Sequence, residues 1–151
     1  MAHFAKIGLD NIVLTVLAVD DKDTATDGGL ERESIGVAYL QGVYGHDTWK
    51  QCSYNTERNT HRLGGTPFRA NYPGAGHYYN SEHDIFHGPR PTDKDGDACN
   101  SFTLNSTTGL WDPPITAPVA TNAEATAGKR WLWDESAYQA DNTTGWILSD
   151  S

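Results

Sequence analysis

No apolar run in this sequence approaches the roughly eighteen residues that a membrane-spanning helix needs. The longest, from Ile12 to Val19, is broken by Thr15 and is the size of a strand. Basic residues are also few: eleven Lys and Arg stand against twenty Asp and Glu, a net charge of −9 over 151 residues. Nucleic-acid affinity comes largely from Lys and Arg displacing phosphate counterions, so binding to a nucleic-acid backbone is not expected. Cysteine is limited to Cys52 and Cys99, enough for one disulfide but not for a disulfide framework. Neither lies in a CxxC pair or beside a catalytic partner, and both read as free thiols. The first six residues, Met1-Ala2-His3-Phe4-Ala5-Lys6, lack the apolar centre of a signal peptide, so synthesis in a cytoplasm is expected. Nucleophile-elbow, phosphate-loop, HExxH and paired-carboxylate signals are missing. Gly64-Gly65 precedes no helical pattern and is no nucleotide cradle. No catalytic residue, no cofactor and no metal site is expected.

What is present begins with a strand pattern. Phe4 to Leu9 alternates, Asp10-Asn11 supplies a turn, and Ile12 to Val19 returns as a β-branched strand. Asp20 to Gly29 is an acidic, Thr- and Gly-bearing loop. From Leu30 to Tyr44 apolar residues recur at 35, 39 and 43 and at 40 and 44, which predicts a helix. Glu31 and Glu33 suit its positive end and Gly45 its stop, while Gly36 and Gly42 weaken it. Trp49 to Tyr54 is a third strand. Residues 1–56 therefore form a small ββαβ body, and the fold class is α+β, mostly β.

The second half carries a repeat. An apolar or aromatic residue precedes Asn or Asp, a polar stretch follows, and a large aromatic closes the unit: Tyr79-Asn80 to Phe86, Leu104-Asn105 to Trp111, Trp133-Asp134 to Trp146. A ring also stands three places before each Asn or Asp, at His77, Phe102 and Trp131. Each copy reads as a β-hairpin, with Pro89, Pro113 and Pro114 ending the pairing in the first two. The third copy holds an insertion around residues 137–142, expected in its turn. Residues 57–112 are then a loop-rich segment with two hairpins, and 113–128 an extended, flexible Pro/Ala/Thr linker. Residues 129–151 form a Trp-rich hairpin. The first two hairpins are expected to complete the body of the protein and the third to reach a partner.

Three groups of residues invite chemical readings. Asp93-Lys94-Asp95-Gly96-Asp97 resembles a calcium loop, but its glycine falls too early and no terminal Glu follows; it reads as an acidic solvated turn. His77, His83 and His87 with Asp84 are rich in metal-ligand types, yet in a hairpin Asp84 lies near the turn while His77 and His87 meet at the open end, and a third ligand, such as His61, has to come from elsewhere. Asn105 and Asn142 open glycosylation sequons that matter only in a eukaryotic secretory pathway. The tryptophans remain. Trp111, Trp131, Trp133 and Trp146, with Tyr138, are the candidates for partner contact; the alternatives are a core internal to the hairpins or platforms for sugar rings.

Several segments resemble a family of small virion-associated proteins from marine tailed phages, those of cyanobacteria above all. The matching segments are Met1 to Lys6, Trp49-Lys50-Gln51 with Ser53-Tyr54-Asn55-Thr56, Gly64 to Arg69, Asn71-Tyr72-Pro73-Gly74, and Ser101 to Asn105 running to Trp111. They follow the family's order and touch most of the chain. The sequence departs from the family between Phe86 and Ala98, where an Asp-rich insertion replaces a short proline-rich link, and Ala70 stands where lysine is common. The resemblance implies a structural protein of a phage particle, made in the host cytoplasm and present in multiple copies or as a homo-oligomer. Its partners are other capsid or tail proteins, and it carries over no catalytic or binding residue. A carbohydrate-binding or host-recognition module of a tail fibre is the alternative, and an enzyme of host takeover or cell-wall cleavage a third.

Overall fold

Alternation in the first nineteen residues becomes an antiparallel pair, β1 (Ala2–Ile7) with β2 (Val13–Val19), in a computed structural model that describes residues 1–150. Asp10 and Asn11 turn the chain at φ of 56° and 59°, a left-handed region that short polar side chains tolerate. The register shifts between Lys6 and Ile7, and Leu14 is the residue left without an opposite number. Helix α1 (Glu33–Tyr44) follows and ends on Gly45 at φ 63°. It starts later than its periodicity predicts because Leu30 to Arg32 are engaged elsewhere: Thr26 N–H donates to Leu30 O, and Arg32 N–H to Thr24 O. Strand β3 (Trp49–Cys52) then pairs with β1, giving the sheet order β2-β1-β3.

The pleat of β1 sends alternate residues to opposite faces, and each face has its own core. Ala2 and Phe4 join Val19, Leu40 and Trp49 beneath α1. Gly36 is the point of closest approach, since a Cβ there would overlap the ring of the fully buried Phe4. The glycine that weakens the isolated helix is what lets it lie on the sheet. Ala5 and Ile7 face the other way, with Val13, Cys52, Tyr79 and Phe86.

Two short strands, β4 (Thr56–Glu57) and β5 (Thr60–His61), are joined through Arg58 and Asn59, both at positive φ. The hairpin of β6 (Tyr78–Asn80) and β7 (Ile85–His87) then covers the second face of the sheet. Backbone bonds from Val13 N–H to His77 O and from Gly76 N–H to Val13 O tie it to β2. The chain divides into two compact units: Met1–Pro89 with Asn105–Leu110 make one, Arg90–Leu104 with the chain from Trp111 onward the other.

The second unit holds β8 (Thr103–Leu104), β9 (Trp111–Asp112), α2 (Asn122–Thr126), β10 (Trp131–Trp133), α3 (Glu135–Ala140) and β11 (Trp146–Leu148). Two expectations are corrected here. The linker is not extended throughout, because Thr121 and Glu124 form a reciprocal capping box that starts α2. The insertion of the third hairpin is not an open turn but α3, capped by Asp134. The hairpins also group differently from expectation: Phe102 and Trp111 from the second share one core with Trp133 and Trp146 from the third.

The repeat itself has a structural meaning. In every copy the residue before Asn or Asp pairs directly with the closing aromatic: Tyr79 with Phe86, Leu104 with Trp111, Trp133 with Trp146. The Asn or Asp then turns the corner by accepting the N–H three residues on, Asn80 from His83, Asn105 from Thr108, Asp134 from Ala137. Asn105→Ala or Asp134→Ala is expected to lower stability by about 1 kcal/mol, as for loss of a helix cap, read by urea denaturation.

Candidate functional site

The partner-contact candidates are largely engaged inside the second unit. Trp133 is buried, its ring 5.3 Å from Phe102, 5.4 Å from Tyr138 and 5.1 Å from Trp146, measured between centroids. Its indole N–H donates to Glu135 Oε2 at 2.8 Å, and that of Trp146 to Ile115 O at 2.7 Å. Trp111 lies half-buried under the Arg90 guanidinium, 4.4 Å away, while Arg90 donates to the carbonyls of Cys99 and Phe102. Trp131 is different: it is half-buried, but its indole nitrogen is buried with no hydrogen-bond partner among the described residues.

Glu135 holds this core together. Its carboxylate accepts from Ser101 N–H and Oγ–H, the Trp133 indole and the Gln139 amide. Burial pushes this carboxyl up, but the bonds from Trp133, Ser101 and Gln139 prevail and hold it below its ordinary value.

Asp93, Asp95 and Asp134 bring carboxylate oxygens within 4.8 Å of one another, whereas Asp97 is not in that group. Lys94 Nζ already stands there, 2.9 Å from Asp95 and 3.6 Å from Asp134. The Asp93 carboxylate is further engaged by the N–H groups of Asp95, Asp97 and Glu135. The histidines are likewise dispersed: His77 Nδ1 accepts from Gly74 N–H, and His87 stacks on Tyr78. No group of metal-ligating side chains among the described residues includes a histidine. Cys52 and Cys99 are free and buried, and burial pushes the Cys52 thiol up to about 12.

The first unit contains a feature the sequence reading did not isolate, an open cleft of about 440 Å³ lined by both polar and apolar surface. Tyr54 and Tyr72 are among its lining residues, 56% and 37% exposed, and both are braced edge-on by the His3 ring at 5.2 and 5.8 Å. Glu57 at the end of β4 and Arg62 just after β5 add a carboxylate and a guanidinium, and neither has a side-chain partner among the described residues. His77 also lines it; with Nδ1 accepting from Gly74, the neutral ring carries its proton on Nε2 and can donate.

Asn71 fixes the shape of the cleft. Its amide donates to Phe86 O at 3.0 Å and to Thr108 O at 2.8 Å, and its Oδ1 accepts from Arg58 N–H at 2.9 Å. Gly109, at φ 66°, sits against this amide, and a Cβ there would meet Phe86 O at 2.6 Å. A second, larger groove of about 680 Å³ runs past Ile7, Leu9, Ile12 and Leu14 and is mainly apolar. No protein family, curated protein or solved structure matches the chain.

The sequence signal that pointed to the two-tyrosine cleft was weak but present. Tyr54 and Tyr72 are large aromatics in polar, glycine-rich stretches with no apolar periodicity to bury them.

Proposed function

We propose that this chain is a non-enzymatic structural protein of a tailed bacteriophage particle, held on the head or tail by contacts with neighbouring virion proteins. The resemblance of its segments, in order and over most of its length, to virion-associated proteins of marine phages carries this reading. The apolar groove beside the β1–β2 turn supports the protein-contact part. Leu9 there is 90% exposed and Leu14 49%, apolar surface that a neighbouring protein can cover. Among the described residues no helix is long and apolar enough to cross a membrane.

Mass spectrometry of gradient-purified particles tests the reading. The protein is expected at a fixed stoichiometry to the major capsid or tail protein, and Leu9→Asp with Leu14→Asp is expected to reduce incorporation severalfold while the isolated protein stays folded. Absence from purified particles would overturn it.

A further inference from the structure

We propose that the two-tyrosine cleft of the first unit is a binding site for an anionic saccharide, a short uronate-bearing glycan. The inference stands on the cleft alone and does not need the protein to belong to a particle.

Its chemistry is divided as such a ligand requires. A pyranose ring has a C–H face that packs on an aromatic ring and an equatorial rim of hydroxyls that needs directional donors and acceptors. Tyr54 and Tyr72 supply exposed aromatic surface, and His3 holds both rings, so little side-chain freedom is lost on binding. Neither phenol hydroxyl has a hydrogen-bond partner among the described residues. Glu57 is an acceptor for sugar hydroxyls, and His77 Nε2–H is a donor.

Arg62 sets the charge of the ligand. On a chain of net charge −9 it is an exposed guanidinium with no carboxylate of the described residues in ion-pair range, and its planar fork matches a carboxylate with two parallel bonds. Arg58 lines the adjoining hollow with it, so a second cation lies along the same hairpin. Nucleic acid is disfavoured by the net charge, and a two-tyrosine cleft of about 440 Å³ lies within the size range of small-ligand sites.

The cleft is also preformed. All three polar capacities of the Asn71 side chain in use there are directed at backbone groups, joining the β4–β5 turn, β7 and the 105–110 segment. Asn71 is therefore a positioning residue, and the ligand contacts fall to Tyr54, Tyr72, Arg62, Glu57 and His77.

Titration of the full-length protein with trigalacturonate and with maltotriose, followed by amide NMR and calorimetry, tests the proposal. Trigalacturonate is expected to bind with shifts confined to residues around 54–77 and 105–110, and maltotriose about tenfold more weakly, the loss of one charge-assisted pair. Arg62→Gln is expected to remove that preference, and Tyr54→Ala or Tyr72→Ala to weaken both ligands about tenfold, with the remaining amide spectrum confirming the fold. No binding of either sugar at millimolar concentration, shifts elsewhere on the protein, or variants that bind as the parent does would each overturn it. Equal binding of the two sugars by the parent protein would overturn the anionic assignment.

Discussion

Arg69→Met is expected to destabilise the first unit by about 3–5 kcal/mol, the cost of leaving carboxylates without their buried cation. The Arg69 side chain is only 11% exposed and reaches three elements at once. Its fork grips Glu33 of α1 at 2.8 and 3.1 Å, Nη1 also donates to Gln51 O of β3, and Nε pairs with Asp84 at 2.7 Å in the β6–β7 turn. Its own carbonyl accepts from Phe86 N–H, and Tyr79 donates to the same Asp84 carboxylate. Helix, sheet and hairpin therefore share one charged junction. Hydrogen exchange of the β1 amides measures the loss. Arg69→Lys is expected to recover only part of it, because an ammonium cannot grip Glu33 bidentately, whereas adding Glu33→Gln to Arg69→Met recovers some by removing the stranded charge. A loss under about 1 kcal/mol for Arg69→Met would remove the junction from the account of this fold.

Glu135→Ala is expected to cost the second unit about 3 kcal/mol, since the buried Trp133 indole and the half-buried Ser101 donors lose their acceptor, at about 1–3 kcal/mol for each buried group left unsatisfied, while the exposed Gln139 amide turns to water. Trp133 fluorescence during urea unfolding reads it. The same carboxylate makes stability depend on pH. Its folded value lies below the ordinary 4.5, so its stabilising contribution is complete above that pH and fades as the pH falls through the folded value. Glu135→Gln is therefore expected to be less stable at pH 7 and to lose less on acidification below pH 4.5 than the parent does. Asp93 keeps a residual acid sensitivity in the variant, because its carboxyl, raised by burial, is lowered further by backbone N–H bonds. Parallel acid curves for the two proteins would show that the bonds to Glu135 do not distinguish its charged form.

Both residues were invisible in the sequence for a physical reason. Periodicity reports which face of a strand or helix is apolar, and it placed the N-terminal sheet and α1, while the aromatic repeat placed the three hairpins. Arg69 acts through partners fifteen and thirty-six residues away, from within a Gly- and Pro-rich stretch that has no period. Nothing local marks such a residue. The cleft escaped notice similarly, since Tyr54 and Tyr72 meet only through His3 on β1. The short helices are another matter. Thr121-Asn122-Ala123-Glu124 is a capping-box signature, legible in principle but masked by the surrounding alternation of Ala and Thr. Gly36 shows the converse, a residue whose helix propensity was read correctly and whose purpose lay in the ring of Phe4.

The hairpin corner has one more implication. Register in each copy is fixed at its base, by one cross-strand pair closed by an aromatic ring and one side chain bonded three residues ahead. The number of residues beyond that point is then not part of the specification. In the third copy the added length became a helix whose first residue, Glu135, is now the anchor of the surrounding core. A hairpin built this way is an open address in the chain: new sequence can be written into the loop without moving the strands that carry it, and what is written there can later become indispensable.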